Sequence, residues 1–386
     1  MKRIYLDHNA TSPVRPEVME QIQEFLSKTL ANPSSVHQSG KRIRRAIDQA
    51  REDVARLIHA SPSEIIFTSG ATEANHLAWK AFQRSGQRII TTKIEHPSVL
   101  GGASKAQEMG AKVVFIRASK SGTLETEEVA GAIQEGVNFA SIHHANNETG
   151  IVYPIQRMAQ NMRSPSFIFH TDAVQTVGRI PIDVKELNAD LLTISGHKLG
   201  ALAGIGALYV RRGVPFEPLW EGGPQEKGRR VGTENCLGIV SLGAACRILY
   251  QCQESEGQQI FELRNHFENE LVSRISGSEI TGKGQPRLPN TTHITFEDLD
   301  GESLLIAADL EEIDCSTGAA CSSGSLKPSH VLLAMGFSLE QAHGSLRFSL
   351  GWNTQEKDIS QALEILPKLV TQVRTSGQTN FRKIAQ

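Results

Sequence analysis

From Glu64 to Lys198 apolar runs alternate with amphipathic ones, and each apolar run ends in a polar side chain. The runs Glu64-Ile-Ile-Phe-Thr68, Arg88-Ile-Ile-Thr-Thr-Lys93, Lys112 to Ile116, Phe139-Ala-Ser-Ile, Ser166-Phe-Ile-Phe-His-Thr-Asp172 and Ala189-Asp-Leu-Leu-Thr-Ile-Ser195 read as buried strands. Helical spacing separates them, including Val99 to Met109, Thr126 to Gln134 and Ile155 to Met162. Strand and helix in alternation specify a mainly parallel sheet with helices on both faces. Such a sheet gathers ligands at the carboxyl ends of its strands. After Lys198, Ala207-Leu-Tyr-Val-Arg211 returns too soon for a parallel crossover, so it is expected to run antiparallel.

The polar groups at the strand ends are the candidate site. Ser195-Gly-His-Lys198 delivers a lysine at the end of a core strand, which is costly unless the amine is solvated, paired or neutralised. Attachment to pyridoxal 5'-phosphate as an imine would neutralise it; a lysine simply leaving the sheet for solvent is the plainer alternative. Ser69-Gly-Ala-Thr-Glu73 opens a helix whose first turn, with Thr72, suits either an anion or an ordinary N-cap. His96 follows one strand, Asn147 another, and Asp172 with Gln175 a third. An Asp at that position can cap the next segment or hold a proton on a heterocyclic nitrogen. Glu221 to Thr233 is a glycine-rich basic loop. It reads as plain surface or as a cover for an anionic group.

A chain of 386 residues can bury two sizeable cores. The reading is a large domain over 13–252 and a smaller α+β domain over 1–12 and 253–386. In the smaller part, helices are expected over Gln258 to Ile275, near Ser329 to Met335 and over Glu356 to Arg374, with a mobile polar tail beyond. A formal net charge of -2 gives no electrostatic case for nucleic acid or an anionic membrane as partner. The first residues show no signal-peptide pattern and no run is long enough to span a bilayer, so a cytoplasmic location is expected. Five cysteines without a C-x-x-C pair argue against a disulfide framework and a zinc ribbon, and no metal is expected. Cys321, among Ser and Gly neighbours, is the candidate nucleophile; Cys315 is read as structural.

Taken together these motifs resemble the cysteine desulfurases of the NifS/IscS type, in the class V aminotransferase-like group of pyridoxal-phosphate enzymes. The resemblance is carried by Asp7-His-Asn-Ala-Thr, Asn32-Pro-Ser-Ser-Val-His37, Thr68-Ser-Gly-Ala-Thr-Glu73, Glu95-His-Pro97 and Asn146-Asn-Glu-Thr-Gly150. It continues through Asp172-Ala-Val-Gln175, Ser195-Gly-His-Lys198, Arg230-Val-Gly-Thr-Glu-Asn235, Ala320-Cys-Ser-Ser-Gly-Ser325 and Arg347-Phe-Ser-Leu-Gly351. It implies an α/β fold of the fold type I class, with a mainly parallel seven-stranded sheet and a smaller α+β domain carrying the Cys321 loop. It also implies a homodimer.

By the same resemblance, Lys198 bonds the cofactor and moves the α-proton of the substrate. Asp172 faces the ring nitrogen, Gln175 the ring oxygen, and His96 stacks on the ring. Ala71, Thr72, Ser195 and His197 hold the phosphate, with Thr233 reaching in from a second subunit. Asn147 belongs to the cofactor site and, with Arg347 and Asn32, to the substrate carboxylate site. Cys321 takes sulfur from L-cysteine as a persulfide, leaving L-alanine, for delivery to an acceptor or iron–sulfur scaffold protein. Two other readings remain open from the residues: a lyase or transaminase on another substrate such as selenocysteine, and a non-catalytic partner on a retained fold. The chain departs from the pattern at Leu199-Gly-Ala-Leu-Ala-Gly204, Pro224 and Trp352. Those departures bear on the sulfur acceptor more than on catalysis.

Overall fold

The computed structural model describes residues 3–28, 30–125, 131, 133, 136–162, 166–317 and 328–384, the last eight by backbone alone. Cys321 and nearly all of the helix expected over Thr126 to Gln134 lie outside the described residues. In chain order the first elements are β1 (Ile4–Tyr5), α1 (Pro16–Ser27), α2 (Gln38–Leu57), β2 (Ile65–Thr68) and α3 (Ala71–Lys80). Next come β3 (Arg88–Thr92), α4 (Pro97–Glu108), β4 (Lys112–Ile116), β5 (Phe139–Ser141), α5 (Ile155–Asn161), β6 (Ile168–Asp172), β7 (Leu191–Ser195) and β8 (Gly206–Val210). The rest is α6 (Cys236–Arg274), β9 (Ser278–Ile280), β10 (Thr291–Phe296), α7 (Gly301–Leu310), β11 (Ile313–Asp314), α8 (His330–Ala334), α9 (Leu339–His343), β12 (Ser345–Ser349) and α10 (Glu356–Ile384).

Seven strands form the main sheet in the order β2-β8-β7-β6-β5-β3-β4. All are parallel except β8, which runs antiparallel to β7 and β2, as its short connection requires. Both faces are covered, so the strands carry apolar side chains on both sides. Leu192 and Ile194 of β7 pack with Ile47, Val54 and Leu242 from α2 and α6, while Leu191 packs with Trp79, Val99 and Phe139 on the other face. A second apolar cluster joins Leu6, Phe267, Phe348, Ile359 and Leu363 beside the three-stranded sheet β12-β10-β9. Each such fully buried side chain contributes roughly 1.5–3 kcal/mol relative to exposure.

α6 differs from the expected helix: it begins at Cys236 rather than Gln258, and so runs through both clusters. Gly238 and Gly243 weaken its first turns as read locally, yet packing demands them. A Cβ on Gly243 would stand 2.5 Å from the Cα of Ala50, so only glycine lets α6 lie this close to α2. α10 also outruns its expected end, and its backbone stays helical to Ile384 where polarity alone had suggested a mobile tail. Gly377 costs only about 1 kcal/mol in a helix, too little to stop it.

The register places the site. Gly206 of β8 pairs with Thr68 at the end of β2 and with Ser195 at the end of β7. A Cβ on Gly206 would stand 2.8 Å from the Cα of Gly70. The bare glycine therefore lets the start of α3 press against the ends of β7 and β8. The termini of β2, β3, β6 and β7 all open on this edge.

Candidate active site

Lys198 leaves β7 through one 3-10 turn and is half-buried. Its Nζ donates to the carbonyl oxygens of Asn9 and Ala10. The N-terminal segment thus meets the lysine across the edge, and His197 Nδ1 lies 3.1 Å from Thr11 Oγ1 of the same segment. Burial, with Lys198 adjoining, depresses the His197 pKa to about 4.

Asp172 ends β6 and is 7% exposed. Its Oδ1 accepts from the Val174 N–H at 3.0 Å and its Oδ2 from the Asn75 amide at 2.8 Å. His96 caps α4 from its own side chain. Its Nδ1 accepts from the Ser98 N–H at 3.2 Å and lies 2.8 Å from the Ser98 hydroxyl. Burial lowers its pKa, with Asp172 opposing and Lys198 and His330 reinforcing. Three residues expected together, Lys198, Asp172 and His96, are thus electrostatic neighbours.

Gln175 Nε2 donates to the Asn9 carbonyl at 3.1 Å, and its Oε1 accepts from Arg179. At the other end of the edge, Ala71 and Thr72 begin α3, whose first N–H groups have no helical acceptor. Ser195 is buried beside them, paired through Gly206. Thr233 of this chain lines a cavity of about 170 Å³ with Thr68, Ser69 and Arg230. Arg230 is fixed on Glu73 of α3 at 2.9 Å.

The carboxylate-binding candidates lie toward β12. Arg347 is 3% exposed; its Nη1 donates to the Asn147 carbonyl at 3.0 Å and its Nη2 to Asp7 Oδ1 at 2.7 Å. Arg347 and Asn147 are therefore together, joined through Asn147's backbone. Asn32 is exposed, and its side chain accepts from the Ser34 N–H at 2.8 Å in a local turn. Sequence reasoning gave no role to three participants. Asn75 sat unnoticed in the apolar pattern of α3. Asp7 had no partner in local sequence, being 340 residues from Arg347. Glu95, next to His96, is fully buried and approaches His143 Nδ1 at 3.3 Å. Among the described residues no cluster of His, Cys, Asp and Glu is arranged to hold a metal ion.

Pyridoxal phosphate demands an amine, an acid beside a ring nitrogen, a flat contact and an anion cradle on one surface. The donor set fits. Lys198 would supply the amine, Asp172 the acid, His96 the flat group, and the α3 start, closed against Gly206 where a Cβ would intrude, the cradle.

A family model described as aminotransferase class-V matches residues 4–362. A protein named cysteine desulfurase IscS from Dictyoglomus turgidum is 43% identical over 380 residues, covering 97% of this chain and 96% of that one. Among solved structures, a NifS-like protein superposes with a TM-score of 0.88 at 32% identity, covering 96% of this chain and 99% of the other. A structure described as SspA in complex with cysteine gives 0.78 at 33% identity, covering 90% and 98%. Class-V aminotransferases and cysteine desulfurases are in general pyridoxal-phosphate enzymes, of the transferase class. A match over nearly the whole chain makes this chain a member of the aminotransferase class-V family.

Proposed function

We propose that this chain is a pyridoxal-phosphate-dependent cysteine desulfurase that converts L-cysteine to L-alanine and takes the sulfur onto Cys321 as a persulfide. One observation carries the reading. Lys198, Asp172, His96 and the α3 start converge on one sheet edge, in a chain 43% identical to a protein named cysteine desulfurase. The bound cofactor would supply an electron sink for charge developed at the substrate α-carbon.

The chain's own residues do the rest. Lys198 holds the cofactor and moves the α-proton. Asp172 would hold the ring nitrogen, Gln175 the ring oxygen and His96 the ring face. Ala71, Thr72, Ser195 and His197 would hold the phosphate, with Thr233 of the second subunit of a homodimer. Arg347 suits the substrate carboxylate because its planar fork binds two oxygens at once, and Asn147 and Asn32 are assigned to the same carboxylate. Cys321, as thiolate, forms an S–S bond to the substrate sulfur while the C–S bond breaks, and the proton from that thiol ends on the alanine methyl group. The persulfide is a reversible state that a thiol acceptor or iron–sulfur scaffold protein can discharge. A reducing cytoplasm keeps both thiols available.

Mass spectrometry of the Cys321 peptide after incubation with L-cysteine tests this directly. One added sulfur on that peptide is expected. Cys321→Ala should keep the yellow colour of the bound cofactor but lose sulfide release. Equal sulfide release by that variant would overturn the role of Cys321. Alanine formed from selenocysteine but not from cysteine would move the reading to a lyase of the other substrate.

A further inference from the structure

Asn75 is fully buried in α3 and belongs to none of the roles above. Its Nδ2 spends both hydrogens: one goes to Asp172 Oδ2 at 2.8 Å and one to Ser98 Oγ at 2.8 Å. The amide cannot be turned over, because its Oδ1 would then face the Asp172 carboxylate. In the orientation it holds, Oδ1 is buried without a partner. Leaving an acceptor unsatisfied there is a cost, and it is met by two donations at the site.

The consequence passes to His96. A serine hydroxyl has one proton; with Asn75 donating to its oxygen, Ser98 turns that proton to His96 Nδ1, 2.8 Å away. The Ser98 N–H aims at the same nitrogen. Nδ1 thus accepts twice, which fixes the neutral ring with its proton on Nε2 and opposes protonation at Nδ1. The other titratable groups facing His96 are Asp172, which favours its protonated form, Lys198 and His330, which oppose it, and His143.

The geometry points to Asn75 as a positioning residue that sets two separate cofactor contacts with one amide, orienting the Asp172 carboxylate directly and fixing the tautomer and charge of His96 through Ser98. This rests on the proposed cofactor site, and it adds a specific coupling: disturbing Asn75 must disturb both Asp172 and His96, whereas disturbing Ser98 must disturb His96 alone.

The full-length chain labelled with ¹⁵N-histidine provides the test, with the His96 signals assigned by their loss in His96→Gln. In the unsubstituted chain His96 is expected neutral with its proton on Nε2. In Asn75→Leu, which keeps the branched shape but not the donors, Ser98 is free to turn. The midpoint of His96 should then rise by about one pH unit, the weight of one hydrogen bond. Pyridoxal phosphate should bind about tenfold more weakly, as expected for losing a donor to a charged carboxylate. Ser98→Ala should move His96 in the same direction while leaving cofactor affinity within about twofold. A folded Asn75→Leu with the His96 midpoint and tautomer of the parent overturns the coupling, as does unchanged cofactor affinity. If Asn75→Leu does not fold, Ser98→Ala decides: an unmoved His96 there overturns the coupling, and a shifted one supports it. A parent chain that takes up no pyridoxal phosphate overturns the proposed function instead, and the His96 signals still decide this inference.

Discussion

Around Glu95 the interior carries its polar groups neutral; around Arg347 it carries them charged and paired. Glu95 accepts from the His143 N–H at 3.1 Å and from the Thr92 hydroxyl at 2.8 Å, and burial pushes its pKa up to about 8. His143 and His170, behind the same edge, are driven down to about 3 by burial. At neutral pH the floor beneath His96 is thus mostly uncharged. Arg347, almost equally buried, instead pairs with Asp7 at 2.7 Å. Burial still raises the Asp7 pKa, with Arg347 opposing. The difference teaches what each region is for. A neutral network holds shape without imposing a field on the charges above it. A buried ion pair keeps a guanidinium charged in the interior, and its carboxylate holds the place that an incoming carboxylate can share.

Removing Arg347 should have the larger effect. Arg347→Ala leaves the half-buried Asp7 without this partner and removes the fork. We expect kcat/KM for L-cysteine to fall roughly a hundredfold or more, the range for truncating one partner of a buried charge pair. Most of the loss should appear in KM, with Arg347→Lys intermediate because charge survives without two-point geometry. An unchanged KM in Arg347→Ala would place the substrate carboxylate elsewhere.

Glu95→Gln should have the smaller effect, visible in stability against pH. A carboxyl whose folded pKa is raised contributes fully below the unfolded value, near 4.5, and its contribution is lost as pH rises through about 8. Between those limits the unfolded chain has released a proton that the folded chain still holds. The parent should therefore lose stability relative to Glu95→Gln as pH rises across that window, with a slope of up to about 1.4 kcal/mol per pH unit. Parallel denaturation curves at pH 5 and pH 8 measure it. A constant difference would mean Glu95 is ionised throughout, and the contrast with Arg347 would fail.

The sheet was legible because its signal is local. Leu191, Leu192 and Ile194 form an apolar run whatever follows, and a short return from Ser195 to Gly206 forces the antiparallel β8. Lys198, Asp172 and His96 were legible as polar residues ending such runs. Asn75 was not, because an asparagine in a helix shows nothing of a carboxylate arriving from 97 residues away. The pairing of Asp7 with Arg347 and the true start of α6 were hidden for the same reason. Each is decided by tertiary approach, and Gly243 reads as a helix weakener until Ala50 stands against it.

The central claim is that the edge formed by the ends of β2, β3, β6 and β7 is a pyridoxal-phosphate site with Lys198 as its anchor. Borohydride reduction of the purified yellow protein, followed by peptide mapping, tests it most directly. The account predicts one pyridoxyl group per chain, on the peptide containing Lys198. The same label on another lysine, or a chain that binds no cofactor, would contradict it.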